Sequence, residues 1–142
     1  MPPLPCPFCN LPESDVVIRS TLCYARYDRF PVSRGHMLVI PFRHIESFFD
    51  LTGDERDAIM AMVAECRAPI ESRGRPDGYN IGFNVGRAAG QTVMHCHCHV
   101  IPRYRGDTVN PRGGIRGVIL TAAQYEAGKR HRKEEDKGQK HL

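Results

Sequence analysis

The stretch "TVMHCHCHVIPR", residues 92–103, decides how this chain is read. It places three of the seven histidines, His95, His97 and His99, at every second position, with Cys96 and Cys98 between them. The run closes on Pro102 and has the length and apolar content of a strand. Side chains on a strand alternate between faces, so the three histidines share one face while Cys96, Cys98 and Val100 share the other. Successive histidines then stand ~6.5–7 Å apart. Two neighbours can converge on one metal ion, whereas a third in line is too distant to join them. Metal chelation, covalent chemistry on a phosphate and a chance polar cluster are the readings open at this point.

The flanks favour the second. Upstream, "NVGRAAGQTVM" supplies Gly86 and Gly90, then Gln91 and Thr92, a bend whose backbone can approach a ligand closely and whose amides suit an anion. No Gly-Lys-Ser/Thr follows, so it is not a P-loop. Downstream, Arg103 and Arg105 are placed to meet a multiply charged phosphate chain. An imidazole titrates near neutrality, so its free base is abundant and a competent nucleophile for phosphorus.

Working outward, "TLCYARYDRFPVSRGHMLVIPFRH" reads as two strands around a turn. The first covers about residues 21–28; Pro31, Ser33 and Gly35 punctuate, and the second covers Met37 to Pro41. In "LTGDERDAIMAMVAECRAPIESRG" the pair Thr52 and Glu55 forms a capping box that opens a helix. Ile59, Met62, Val63, Cys66 and Ile70 keep helical spacing on one apolar face, and Pro69 bends or ends the helix. "SRGRPDG" is a loop and "YNIGFNV" a further strand. Strands on short turns with one main helix predict an α+β domain with an antiparallel sheet.

The chain has 142 residues, 41% hydrophobic and 25% charged, the size and composition of one globular domain. No apolar run approaches the ~18 residues of a membrane span. "MPPLPCPFC" lacks a basic segment followed by an apolar one, so a cytoplasmic protein is expected. Of the net charge of +4, +3 falls on residues 129–142, where six Lys/Arg face three acids. No aromatic residues interleave with those cations, so a solvated tail is expected there rather than a nucleic-acid surface. The expected organisation is a domain over residues 1–128 and a charged tail over 129–142. In a reducing compartment the six cysteines read as thiols or metal ligands. Cys6 and Cys9 have zinc-knuckle spacing, which supplies half of a tetrahedral site.

The block from "GQTV" through the alternating histidines to "VIPR", with "YDRFPVSRGHMLVIPFRH" and the "DL" after it, resembles the histidine-triad (HIT) superfamily of nucleotide hydrolases and transferases. The likeness covers about residues 6–119. It implies a five-stranded antiparallel sheet with one long and one short helix, paired as a homodimer. It implies that His97 attacks the α-phosphate of a purine nucleotide substrate, a dinucleoside polyphosphate of the diadenosine type or a nucleoside phosphoramidate. A nucleotidyl-histidine forms, with His99 binding phosphate oxygens. Asn84, Gly90 and Thr92 fall on its phosphate-binding positions and Asp28 on its ribose-binding acid. Gln91 and Arg103 are taken as further substrate contacts. Family members with this pattern also carry structural zinc, here implied on Cys6, Cys9, His44 and His95. Cys96 and Cys98 stand where the family has plain hydrophobes and are read as small buried residues.

Other functions remain in view. A nucleotide sensor would keep the pocket without turnover, and a zinc hydrolase would use the alternating histidines directly. Membrane association is not expected, and His36 reads equally as structural or pocket-lining.

Overall fold

The computed structural model describes residues 5–119 of the chain, which divides into two compact units, Met1–Arg105 and Gly106–Leu142. The expected charged tail, and the boundary expected at residue 128, lie outside the described residues. The first unit carries a five-stranded antiparallel sheet in the order β1-β2-β3-β5-β4. Its strands are β1 (Ile18–Arg19), β2 (Cys23–Tyr27), β3 (Met37–Pro41), β4 (Gly78–Phe83) and β5 (Cys98–Arg103). Strand β3 has the predicted bounds, and β1 is a two-residue edge that sequence reading missed. In the second unit a 3-10 turn, Gly114–Val118, is the described element.

Helix α1 (Gly53–Glu65) begins where predicted, because both halves of the capping box form. The Glu55 amide donates to Thr52 Oγ1 at 3.1 Å and the Thr52 amide to Glu55 Oε1 at 2.9 Å. The helix ends at Glu65, before the expected break, and a short helix α2 (Arg67–Glu71) follows. Pro69 explains the position: it has no amide to donate to the carbonyl four residues back, that of Glu65, and its ring crowds that carbonyl. Ile59, Met62, Cys66 and Ile70 are buried as the helical stripe required.

Both faces of the central strands are covered, so β3 is buried along its whole length. One face packs Val39, Met37, Cys98 and Val100 against the helices. The other packs Tyr24, Leu38 and Ile40 beneath Phe8, Leu11 and Val16 of the N-terminal segment. Strand β5 starts at Cys98, later than predicted. The Cys96 amide instead donates to the Ile45 carbonyl at 2.6 Å, which draws the chain out of the ladder. Alternation persists across that break: Cys96, Cys98 and Val100 are buried in the core as expected. Burial pushes the Cys96 thiol up to about 11 and that of Cys98 to about 12, so both stay protonated and inert.

Glu55 also accepts from Arg43 at 2.7 and 3.2 Å. That guanidinium first, with the cap amide, holds the carboxyl at about 2 against an ordinary 4.5. A carboxyl depressed by folding stabilises above its unfolded pKa and loses that contribution as pH falls. Glu55→Gln is therefore expected to cost about 1 kcal/mol at pH 7. The gap to wild type should close between about pH 5 and pH 2, as read by denaturation midpoints across that range.

Candidate active site

His97 sits just before β5 and is 7% exposed. Its Nδ1 lies 2.7 Å from the His95 carbonyl oxygen. A carbonyl only accepts, so Nδ1 carries the proton and Nε2 keeps its lone pair. Burial, more than any neighbouring charge, lowers its pKa and favours the neutral ring.

A second chain of hydrogen bonds fixes His99. The Val32 amide donates to His36 Nδ1 at 3.2 Å, which puts the His36 proton on Nε2. That Nε2 is 2.9 Å from His99 Nδ1, so His36 donates and His99 must bear its proton on Nε2. Burial first, then His97 and His36, bring the His99 pKa down to about 4. At neutral pH His99 is thus an uncharged donor rather than a base. Asp28 Oδ2 lies 3.5 Å from the same His36 Nε2. Although Asp28, His36 and His99 bring ligand-type atoms within 4.8 Å of one another, the grouping suits a metal poorly. His36 Nε2 carries its proton because Nδ1 is already accepting.

His97 and His99 open on a cleft of about 400 Å³, lined also by Asp28, Asn84, Gly90 and Thr92. The predicted bend is real: Gly86 and Gly90 take φ of +87° and +94°, which a side chain would resist. Asp28 lines the cleft, and its Oδ1 also accepts from the Phe30 amide at 2.9 Å in a local turn. Two expected substrate contacts lie off the cleft. Gln91 is buried and its amide is spent internally, accepting from the Gly86 amide and donating to the Glu46 and Val93 carbonyls. It braces the glycine bend. Arg103 projects to the edge strand, where it donates to Asn80 Oδ1 at 2.7 Å, and Arg105 approaches Asp77.

Cys6, Cys9, His44 and His95 gather as one group with ligand atoms within 4.8 Å. His95 Nδ1 is 3.4 Å from Cys6 Sγ and 3.5 Å from Cys9 Sγ, and His44 Nδ1 is 3.2 Å from Cys9 Sγ. The edge of a tetrahedron built from Zn–S and Zn–N bonds is about 3.5 Å, so this donor set fits a zinc ion. His95 Nε2 donates to the Pro41 carbonyl at 2.8 Å, leaving Nδ1 free to ligate. The four side chains leave no vacant coordination position, the mark of a structural site. His95 therefore faces the thiols while His97 and His99 face the cleft, and the three need not converge.

Sequence reading missed the apolar end of the cleft: Pro7 and Phe8 from between the two cysteines, Leu38, Val93 and Phe30, together with Arg26 and Arg29. Phe8 meets the His97 ring edge-on at 5.0 Å between centroids. Only the strand register could have found Leu38 and Arg26, since Leu38 pairs with His99 and Arg26 with Leu38.

A five-stranded antiparallel sheet with one long helix and alternating histidines at the start of a central strand is the architecture of histidine-triad proteins. The chain belongs to the HIT domain family, whose model matches residues 11–106. It is 38% identical over 107 residues to an AP-4-A phosphorylase of Mycobacterium tuberculosis, covering 71% of this chain but 55% of that protein. The chain thus spans little more than half the length of that relative. It is 38% identical over 125 residues to the asymmetrical bis(5'-nucleosyl)-tetraphosphatase of Schizosaccharomyces pombe, covering 81% of this chain and 69% of that one. Among solved structures it resembles a Zn-bound histidine triad family protein from Mycobacterium smegmatis, with a TM-score of 0.60 and 33% identity, over 67% of this chain and 69% of that chain.

Proposed function

We propose that this protein is a nucleotidyl hydrolase or transferase that cleaves dinucleoside polyphosphates, or nucleoside phosphoramidates, at the α-phosphate. One observation carries the reading: the His97 Nδ1 proton is bound to the His95 carbonyl, so the remaining nitrogen is an unprotonated nucleophile on a ring lining the cleft. In the first step Nε2 bonds to the α-phosphorus. The bond from phosphorus to the leaving group breaks, and its electron pair departs with that group, an amine leaving group taking up a proton from solvent as it goes. In the second step water or another acceptor bonds to phosphorus, the N–P bond breaks, His97 recovers its lone pair, and the proton of an attacking water passes to solvent. The Nε2–H of His99, the Thr92 hydroxyl and the amides around Gly90 supply donors for charge gathering on the phosphoryl oxygens. Asp28 accepts from the ribose hydroxyls. The names of the phosphorylase and tetraphosphatase relatives support this substrate class.

The reading includes structural zinc on Cys6, Cys9, His44 and His95, and a cytoplasmic setting that keeps the buried thiols reduced. It also includes a homodimer. Strand β4 is a sheet edge, and Ile81 on it and Met60 on α1 are 43% and 48% exposed. Light scattering on the purified protein should give twice the chain mass; a monomeric mass would remove this part.

Turnover of a dinucleoside tetraphosphate in heavy-oxygen water tests the function. The mononucleotide product should carry the heavy oxygen and the other product should not. Addition of inorganic phosphate reveals whether phosphate competes as acceptor by converting that product to the nucleoside diphosphate. Stoichiometric binding without turnover would favour the sensor reading instead.

A further inference from the structure

Arg26 is the most buried of the polar cleft residues to which the proposed reaction gives no role. It is 6% exposed, yet it lines the cleft. Its Nε donates to the Tyr27 carbonyl at 3.0 Å, and its Nη2 reaches Asp15 only at an ion-pair distance of 3.8 Å. No fully buried side-chain nitrogen or oxygen among the described residues lacks a partner. The terminal guanidinium nitrogens, which make no hydrogen bond among those residues, are therefore not fully sealed from solvent, and the residue they belong to lines the cleft. A nearly buried cation with unspent donors is costly unless something in the cleft accepts from it. Asp15 also accepts from Arg29 Nη2 at 3.3 Å. One carboxylate thus holds two guanidiniums on the same wall.

The sheet register sets the distance of that wall from the reacting histidines. His99 pairs with Leu38 and Leu38 with Arg26 on one face. Two strand spacings separate the backbones of His99 and Arg26, about 10 Å. That is the span from the phosphorus of a 5'-nucleotide to the far edge of its base. Asp28, two residues beyond Arg26, lies where the ribose belongs, and Phe8, Leu38 and Phe30 supply apolar surface for the base itself.

We infer that Arg26 selects the base, favouring a 6-oxopurine such as guanine over adenine. This rests on the nucleotide reading of the cleft. Guanine presents O6 and N7 side by side as acceptors, the pattern a guanidinium meets with two donors. Adenine places an amino donor where O6 would be, so one of the two contacts becomes a donor facing a donor. Arg29, held on the same carboxylate, keeps the positive potential on that wall.

Calorimetric titration of the full chain with GMP, IMP and AMP tests this without needing turnover. GMP and IMP, which share O6 and N7, should bind about tenfold or more tightly than AMP. Arg26→Met, which keeps the aliphatic stem and removes the donors, should bring the three within about threefold, chiefly by weakening GMP and IMP. Circular dichroism checks that the variant folds; should it not, the wild-type ranking decides alone. AMP binding as well as or better than GMP and IMP would overturn the inference. So would an Arg26→Met loss equal for all three, which would assign the arginine to an anion. If none of the three binds at millimolar concentration, the nucleotide reading fails and this inference with it. If all bind equally, only the base assignment fails.

Discussion

Replacing His97 by glycine is expected to lower turnover of a dinucleoside polyphosphate at least about a thousandfold while nucleotide binding changes no more than several-fold. The two effects separate because His97 contributes in different ways to the two processes. On the proposed reading, binding draws on the apolar wall, on Asp28 and on the donors around Gly90, and of these only the edge contact of Phe8 involves the His97 ring. Bond breaking draws on the one lone pair that the His95 carbonyl directs away from Nδ1. Stopped single-turnover rates and nucleotide titrations on the same preparation check both halves. A variant that turns substrate over at the wild-type rate would remove His97 from the reaction.

Stripping the proposed zinc, or replacing Cys9 by alanine, is expected to produce the second large effect, on stability and on binding together. Metal-binding free energy in such sites is folding free energy, because the unfolded chain holds no preformed site. A loss of about 3 kcal/mol or more would lower Tm by roughly 10 °C in a domain of this size. The effect on binding has a specific route. Pro7 and Phe8, which lie between the two cysteines, form part of the cleft wall. Phe8 is otherwise held by packing on Tyr24, Leu38 and Ile40 and by its carbonyl, which accepts from the Tyr24 hydroxyl at 2.6 Å. Releasing the cysteines should therefore weaken nucleotide affinity as well as Tm. Activity should decay slowly with a chelator, in step with unfolding, since four protein ligands leave no place for substrate on the metal. Instant and complete loss, with Tm unchanged, would instead put the metal in the chemistry.

Much of this was legible in the sequence because local rules governed it. The capping box of Thr52 and Glu55 is a contact between residues three apart, so spacing was enough to find it. The run Met37 to Pro41 is apolar throughout because it lies in the middle of the sheet with both faces covered. Where tertiary contacts decided, the sequence was silent. The ladder of β5 starts late because the Ile45 carbonyl captures the Cys96 amide, an event no period-two pattern records. Gln91 looked like a ligand contact from its place in a glycine-rich bend. Its amide is consumed by that bend, and only the fold reveals it. Arg26 was read as part of an ordinary strand. It became a candidate once the register set it two strands from His99, on the same face.

The most direct test of the central claim is to catch the nucleotide on the protein. A substrate labelled at the α-phosphate is mixed with excess protein, quenched in alkali because N–P bonds are acid-labile, and digested for mass spectrometry. The label is predicted on His97 and is absent when His97→Gly is used. Label on any other residue, or complete conversion with no label ever bound during turnover, would contradict the account.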